Sequence, residues 1–427
     1  MPRKRYGLKI ALGFGIFLLT CYLLFSLHAH LTLKHELELA KKEGLWTTLD
    51  EVANRPAPPA ASNAALIYTP LYASFHDAVP LGSEMDKALE PGGEPAFLAT
   101  YTRAEPYLRE FERAAAMPDC QFQRNWRAGA AVLFPEYAQM KSVFKLVCFR
   151  ATLMSRQGRP TEGLDLIRRF APIARHAGSD PVLIGELVEI AMDAIAFRAI
   201  QTILGAHGLE PKVLEGARAA LAALGPAPDS LTPLKGECAM GTSELDDPSF
   251  RKMLAQNGWL EALGYIPAAR DVWAADHIRD VRATYTAIRD TEPHAGATLA
   301  RLKNIEAHRS DFIEAFDPEG SSWYRAAARD AAHRAALATL IAGLDAWRRS
   351  GSCPTKLPAT QPPIFDPLTD APLQFAPIKG GFKVWCVAPD GRDHGGEAYI
   401  PGTSHSIDEF DTVYAYPWKP PVKKKVK

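Results

Sequence analysis

The run IALGFGIFLLTCYLLFSL, from Ile10 to Leu27, contains no charged residue and no proline. As a helix rising 1.5 Å per residue it spans roughly 27 Å, close to the thickness of a bilayer's hydrocarbon core. Arg3, Lys4, Arg5 and Lys9 stand just ahead of it. Positive charge on that side keeps the N-terminus in the cytoplasm and exports the rest of the chain. Three other readings compete. A cleaved signal peptide ending at Ala29 puts Leu27 at the position two residues before it, where a small side chain is needed. A lipoprotein cut before Cys21 has Thr20 in front and continued apolar sequence behind. The third is a processed pilin-type leader. An uncleaved signal anchor accounts for the run best. The expectation is a single-pass protein of a bacterial cytoplasmic membrane, with residues 1–9 inside, 10–27 in the bilayer and the bulk exported.

Outward from this run, 427 residues with 47% hydrophobic and 23% charged content describe a globular body large enough for two or three units. The formal charge is zero but unevenly placed. Of 49 basic residues, four flank the anchor and five close the chain (Lys419, Lys423, Lys424, Lys425 and Lys427). The span between them therefore carries a net charge of −9 against its 49 acidic residues. An acidic body argues against a nucleic-acid partner, because phosphate contacts need a basic surface. The final KKKVK reads as a solvated tail or as an adhesive for anionic polymer.

Spacing along the chain predicts mostly helices. Residues 28–43 continue the anchor outward as a stalk, which Gly44 ends and a proline-rich linker, 55–62, separates from the rest. A helical domain is expected over 63–320. Its helices are read at Asn63–Phe75, Pro95–Ala116, Phe134–Arg156, Glu162–His176 (capped by Thr161), Asp180–Leu204 (capped by Asp180) and Pro211–Leu224. Residues 226–267 read as loop. Further helices are read at Asp276–Asp290, Thr298–Phe316 and Ser321–Arg349. One hairpin resembles a tetratricopeptide repeat, with Gly158 between its helices, Gly163 at the small position of the second and Ile167 at its large apolar position.

Asp366–Phe375 (DPLTDAPLQF), Gly380–Val387 (GGFKVWCV) and Ala388–Gly396 (APDGRDHGG) come after the long alanine-rich helix in a recognisable order. From about Ala331 this order resembles the C-terminal domain of type II secretion pseudopilins. Alternation in Pro372–Phe375 and Phe382–Val387 about a Gly-Gly turn independently predicts a β-hairpin, and Thr412–Tyr416 offers a third strand. Three short strands need the 321–349 helix to pack on. The module occupies 321–416 and the basic tail 417–427. The resemblance implies calcium in the loop after the hairpin. Asp390, Asp393, Asp408 and Asp411, with Glu409, supply oxygens for it; turn and cap roles are the competing reading. The resemblance does not reach the leader. Gly7 is followed by Leu8 and Lys9, with Leu12 rather than glutamate at the fifth place.

Other chemistry-bearing residues are few. Glu186, Glu189 and Asp193 fall within about 60° of one another on a helix. Such carboxylates suit acid/base chemistry, or they form a solvated edge or pair with Arg150, Arg168 or Arg169. His333 reads as a surface residue. His394 and His405 with neighbouring aspartates are a faint zinc pattern, and Ser404 beside His405 lacks a supporting motif. Cys353 with Cys386 and Cys120 with Cys148 are the candidate disulfides of an exported chain, against a reading as buried small hydrophobes. No GxSxG, HExxH, GxGxxG or phosphate-binding lysine loop occurs.

The fold expected is mainly α: a transmembrane helix, an exported helical bundle and a small α+β C-terminal module. The function expected is a non-catalytic envelope scaffold with a protein partner. The alternatives are an exported hydrolase of cell-wall or glycan substrates using the carboxylates of the 180s helix, or a pilin-like secretion component.

Overall fold

A computed structural model describes residues 3–79, 92–245, 267–310, 321–399 and 406–418. The chain is mainly helical. The helices are α1 (Arg3–Lys42), α2 (Leu49–Ala53), α3 (Ala65–Ala78), α4 (Glu94–Ala115), α5 (Pro135–Arg156), α6 (Pro160–Phe170) and α7 (Pro172–Ala177). After them come α8 (Leu183–His207), α9 (Pro211–Ala223), α10 (Leu231–Glu244), α11 (Pro267–Arg289), α12 (Ala295–Glu306) and α13 (Ser322–Ser350). Three strands close the fold: β1 (Gln374–Ile378), β2 (Gly381–Cys386) and β3 (Thr412–Tyr416).

α1 is one helix of 40 residues with two environments. Its outer part stands clear of the body, with side chains such as Leu12, Phe17 and Leu24 about 60% exposed. It is long and apolar enough to cross a membrane. Its inner part is docked. Ala29 and Ala40 are buried, Leu33 and Leu37 pack into a core with Ile278, Tyr285 and Ile288 of α11, and Glu36 is 7% exposed. Leu33, Glu36, Leu37, Ala40 and Glu43 recur at three- and four-residue spacing, so one stripe of α1 meets α11. The segment expected as a stalk is therefore part of the body's second core. Gly44, at φ +82°, turns the chain away from it.

The principal core runs from α3 through α9 and on to α13 and the sheet. Phe97, Phe111, Phe144, Phe170 and Phe197 are all completely or almost completely buried in it. α5 and α6 form a tight antiparallel hairpin about Gly158, at φ +77°. A Cβ on Gly163 would come within 2.5 Å of the Ala151 carbonyl oxygen, so glycine is needed where these helices touch. Two expected caps are not formed. Thr161 lies inside α6, and Pro172 divides the expected 162–176 helix into α6 and α7. α8 begins at Leu183 rather than at Asp180. Its first amide is capped by Glu237 Oε1 of α10, which accepts from Leu183 N at 2.8 Å. α10 itself lies in the segment read as loop, and residues 246–266 lie outside the described set.

The C-terminal module is an antiparallel meander, β1-β2-β3, packed on α13. Phe375 pairs with Val384, and Val384 with Tyr414, so the central strand is buried from both sides. The hairpin turn is Lys379-Gly380, and β1 runs on to Ile378, three residues beyond the expected end. Gly343 of α13 leaves room for the Phe382 ring, whose tip would meet a Cβ there at 2.6 Å. Gly351, at φ +72°, ends α13.

Candidate functional site

The acidic face of α8 is inside the protein. Glu186, Glu189 and Asp193 are 2%, 7% and 0% exposed. Their three- and four-residue spacing stacks them along one side of the helix, and α13 lies against that side. Asp330 of α13, 2% exposed, joins them. Among the described residues one arginine is bonded into the group. Arg334 donates from Nε to Asp330 Oδ2 at 2.7 Å, from Nη2 to Asp193 Oδ2, and from Nη1 to the Gly225 carbonyl at 2.6 Å. Its guanidinium also lies 5.4 Å from the centre of the Phe197 ring. The arginines considered from sequence are engaged elsewhere. Arg168 pairs with Asp165, Arg169 with Asp165 and Glu112, and Arg150 lies over the Tyr101 ring.

Arg334, with the charge of Arg175 acting at a distance on Glu189, does not offset the burial of four carboxylates, and all four are biased towards the protonated form. Burial pushes Glu186 up to about 8, although the Ser230 hydroxyl donates to its Oε1 at 2.6 Å and favours the anion. Burial, with Asp330 close by, pushes Glu189 up to about 8 as well. Glu189 has no hydrogen-bond partner among the described residues and lies against Gly178, where a Cβ would come within 1.8 Å of its Oε2. Asp193 and Asp330 are raised too, chiefly by burial. Glu186 Oε2, Asp193 Oδ1 and Asp330 Oδ1 have no hydrogen-bond partner among the described residues. The group is thus two glutamates that burial biases towards the protonated form, beside an arginine held between two aspartates. It can fix the α8–α13 contact and store protons. Its carboxylates are almost wholly withdrawn from solvent. Asp330 carried a sequence signal, its four-residue spacing from Arg334 on one helix. His333, expected at the surface, stacks on Phe197 and hydrogen-bonds Tyr414 Oη at 3.0 Å, and burial lowers its pKa to about 4.

A second buried charge group explains why Asp180 does not cap α8. Arg124 donates from Nε to Asp180 Oδ2 at 2.7 Å and also bonds Glu136. Tyr137 Oη donates to the same Asp180 oxygen at 2.8 Å. Arg124, Asp180 and Glu136 are all less than 8% exposed at the side chain. The guanidinium also sits 4.4 Å from the Phe134 ring centre.

The calcium candidates are not gathered into a site. Asp408 pairs with Arg325 and Arg329 of α13. Asp411 Oδ2 accepts from the amides of His394 and Gly396, and Asp393 from Trp385 Nε1 and the Gly395 amide. Asp390 accepts from the Arg392 amide and faces His394. These are turn and capping roles, and no group of three or more metal-capable side chains occurs among the described residues. His394 is accordingly part of a turn, while Ser404 and His405 lie outside the described residues, as does the basic tail from Lys419.

The candidate disulfides are not formed either. Cys120, Cys148, Cys353 and Cys386 are free thiols. Cys148 sits in the α5 core, Cys386 Sγ points at the Ala332 carbonyl at 3.5 Å, and Cys353 Sγ at that of Pro354. Burial raises the pKa of all four, so they pack as small hydrophobes.

No protein-family model, curated protein or solved structure matches the chain.

Proposed function

We propose that this chain is a single-pass, membrane-tethered scaffold of the bacterial cell envelope. On this reading its exported helical body holds a protein partner and performs no chemistry of its own. The observation that carries the reading is the docking of α1. The helix that would enter the bilayer runs without a break into the body, where Arg282 bonds both Glu36 and Glu43. Such a joint fixes the body's orientation at the membrane, which a scaffold needs and a freely diffusing enzyme on a flexible leash does not. The basic residues before Ile10 support an inward N-terminus.

Burial of the acidic residues of α8 weighs against the hydrolase alternative, because a glycan must reach both carboxylates. An interaction role has surface to use. A groove of about 710 Å³ beside α3 and α5 is lined by Leu66, Pro70, Phe122, Val132 and Leu133. Leu66 is 49% and Leu133 78% exposed. The helix-and-meander module at 321–416 is the part that keeps a pseudopilin-like ancestry within the proposal.

The test is proximity labelling in cells by a peroxidase fused to the C-terminus. The expected result is a defined set of envelope proteins, lost in a Leu66→Lys/Leu133→Lys variant that stays folded and membrane-bound. Labelling that is the same in wild type and variant, or confined to cytoplasmic proteins, overturns the reading.

A further inference from the structure

An open cleft of about 640 Å³ lies where the C-terminal ends of α4, α6, α7 and α9 converge. Its charged lining is Arg109, Arg113, Arg168, Arg169, Arg175 and a single carboxylate, Glu112, over a floor of alanine and proline. This is a concentrated positive feature on a body whose charge is negative overall.

Three of the arginines have a structural role. Arg113, Arg168 and Arg169 occupy the last turns of α4 and α6, where cations offset the exposed carbonyl ends. They are also paired: Arg113 with Glu110, Arg168 with Asp165, and Arg169 with Asp165 and with Glu112 at 2.6 Å. Neither account extends to the other two. Arg109 stands more than a turn before the end of α4, beyond the reach of the terminal dipole. Arg175 belongs to a helix of only six residues, whose summed dipole is small. Neither Arg109 nor Arg175 has an ion-pair or hydrogen-bond partner among the described residues, and both are exposed to the cleft. The Arg175 stem passes close over Gly225, where a Cβ would come within 2.9 Å of its Cδ.

With Glu110, Asp165 and Glu112 set against Arg113, Arg168 and Arg169, the charges of Arg109 and Arg175 are left over, carried by planar forks suited to bidentate recognition of oxyanions. The volume is far larger than an inorganic ion needs and falls in the range of small-molecule sites. We propose that this cleft binds an organic phosphate, with the phosphoryl dianion held by Arg109 and Arg175 and the organic body laid on the apolar floor. A soluble phosphate ester and a lipid phosphate headgroup share this chemistry. The proposal does not depend on the scaffold reading, and neither falls with the other.

The test is calorimetric titration of the full chain in neutral detergent micelles with two probes, glycerol phosphate and dihexanoyl phosphatidic acid. Saturable binding is expected for at least one. Tighter binding of the phosphatidic acid identifies a headgroup site, and equal or tighter binding of glycerol phosphate identifies a soluble ester. R109A/R175A is expected to weaken the preferred probe by about tenfold or more with a nearly unchanged melting temperature, because neither side chain has a hydrogen-bond or ion-pair partner among the described residues to lose, and Arg175 acts on Glu189 only at a distance. R109K/R175K, which keeps charge but not the fork, is expected to fall between wild type and the alanine variant. Absence of saturable binding by wild type, or equal binding by wild type and R109A/R175A, overturns the proposal.

Discussion

Arg282 holds Glu43 with two parallel hydrogen bonds, Nε to Oε2 at 3.0 Å and Nη2 to Oε1 at 2.6 Å. Its remaining nitrogen donates to Glu36 Oε2, and Arg279 reaches the other oxygen of Glu36 at 3.0 Å. Two carboxylates on one face of α1 are thus gripped by two arginines on α11. The Arg282 side chain is 16% exposed and that of Glu36 9%, so solvent screens this joint less than a surface pair.

Arg282→Ala is expected to lower stability by about 1 to 3 kcal/mol, the range for charge-assisted hydrogen bonds with a partner left behind. The check is thermal unfolding in detergent, combined with Glu43→Gln in a double-mutant cycle. The two substitutions should be strongly non-additive. Additive effects would mean that the joint contributes little and that apolar packing alone holds α1.

Arg334→Met should be costlier. It removes the cation bonded to both Asp193 and Asp330, which are buried, and takes the Arg334 donor from the Gly225 carbonyl. Breaking a buried pair from one side typically costs about 3 to 5 kcal/mol. Arg334→Met combined with Asp193→Asn and Asp330→Asn should recover much of that loss, because no charge is then stranded. Urea unfolding of the single and triple variants measures both. If the triple variant is as unstable as the single one, the arginine acts through packing and not through charge.

Much of the fold is legible in local pattern, and the rest is hidden for physical reasons. The α8 acidic face can be read from the spacing of Glu186, Glu189 and Asp193. Its burial cannot, because the cation that makes burial tolerable stands 141 residues away in sequence. Asp180-Pro181 has every mark of a helix start, but Arg124 and Tyr137 compete for the aspartate and win. α10 reads as a loop because of Pro233, Gly236 and Gly241. Its glycines are there for close approach: a Cβ on Gly236 would lie 1.7 Å from the Pro181 carbonyl oxygen, and one on Gly241 2.3 Å from His277 Nε2. The sheet is read nearly correctly, since alternation in β2 and β3 is local and their support, α13, comes just before them.

The buried acids and histidines give stability opposing pH slopes. Glu186 and Glu189 titrate near 8 in the folded chain against a usual 4.5. A raised acid binds its proton more tightly when folded, so its contribution is full below pH 4.5 and is lost as pH rises towards 8. Asp193 and Asp330 shift in the same direction. His176, His277 and His333 are lowered by burial to about 4 from 6.5. Their contribution is full above pH 6.5 and is lost as pH falls through 4. Between pH 6.5 and 8 the acids act without that opposition. Urea unfolding should show stability falling across this window, by up to about 1.4 kcal/mol per pH unit for each proton retained. Glu186→Gln/Glu189→Gln should flatten the fall. A profile rising from pH 6.5 to 8, or one unaffected by the double variant, would show that these glutamates are ionised inside the protein.

The α5–α6 hairpin separates two reasons for a glycine. At Gly163 the backbone is ordinary, but a Cβ would stand 2.5 Å from the Ala151 carbonyl oxygen, which belongs to a helix backbone and cannot swing aside. At Gly158 the surroundings are open, with nothing within 4 Å of a Cβ, but φ is +77°. Gly158→Ala therefore incurs only the left-handed backbone cost, about 1 to 2 kcal/mol. Gly163→Ala must push two helices apart, an overpacking cost of about 1 to 3 kcal/mol, and Gly163→Val should exceed it. Unfolding measurements on these three variants and on Gly158→Ser distinguish these origins by side-chain size, since a larger residue worsens a clash at 163. At 158 the penalty comes mainly from the backbone and should change little between Ala and Ser. If Gly163→Val is no worse than Gly163→Ala, the two helices can separate freely and the hairpin is not the tight contact that its glycine implies.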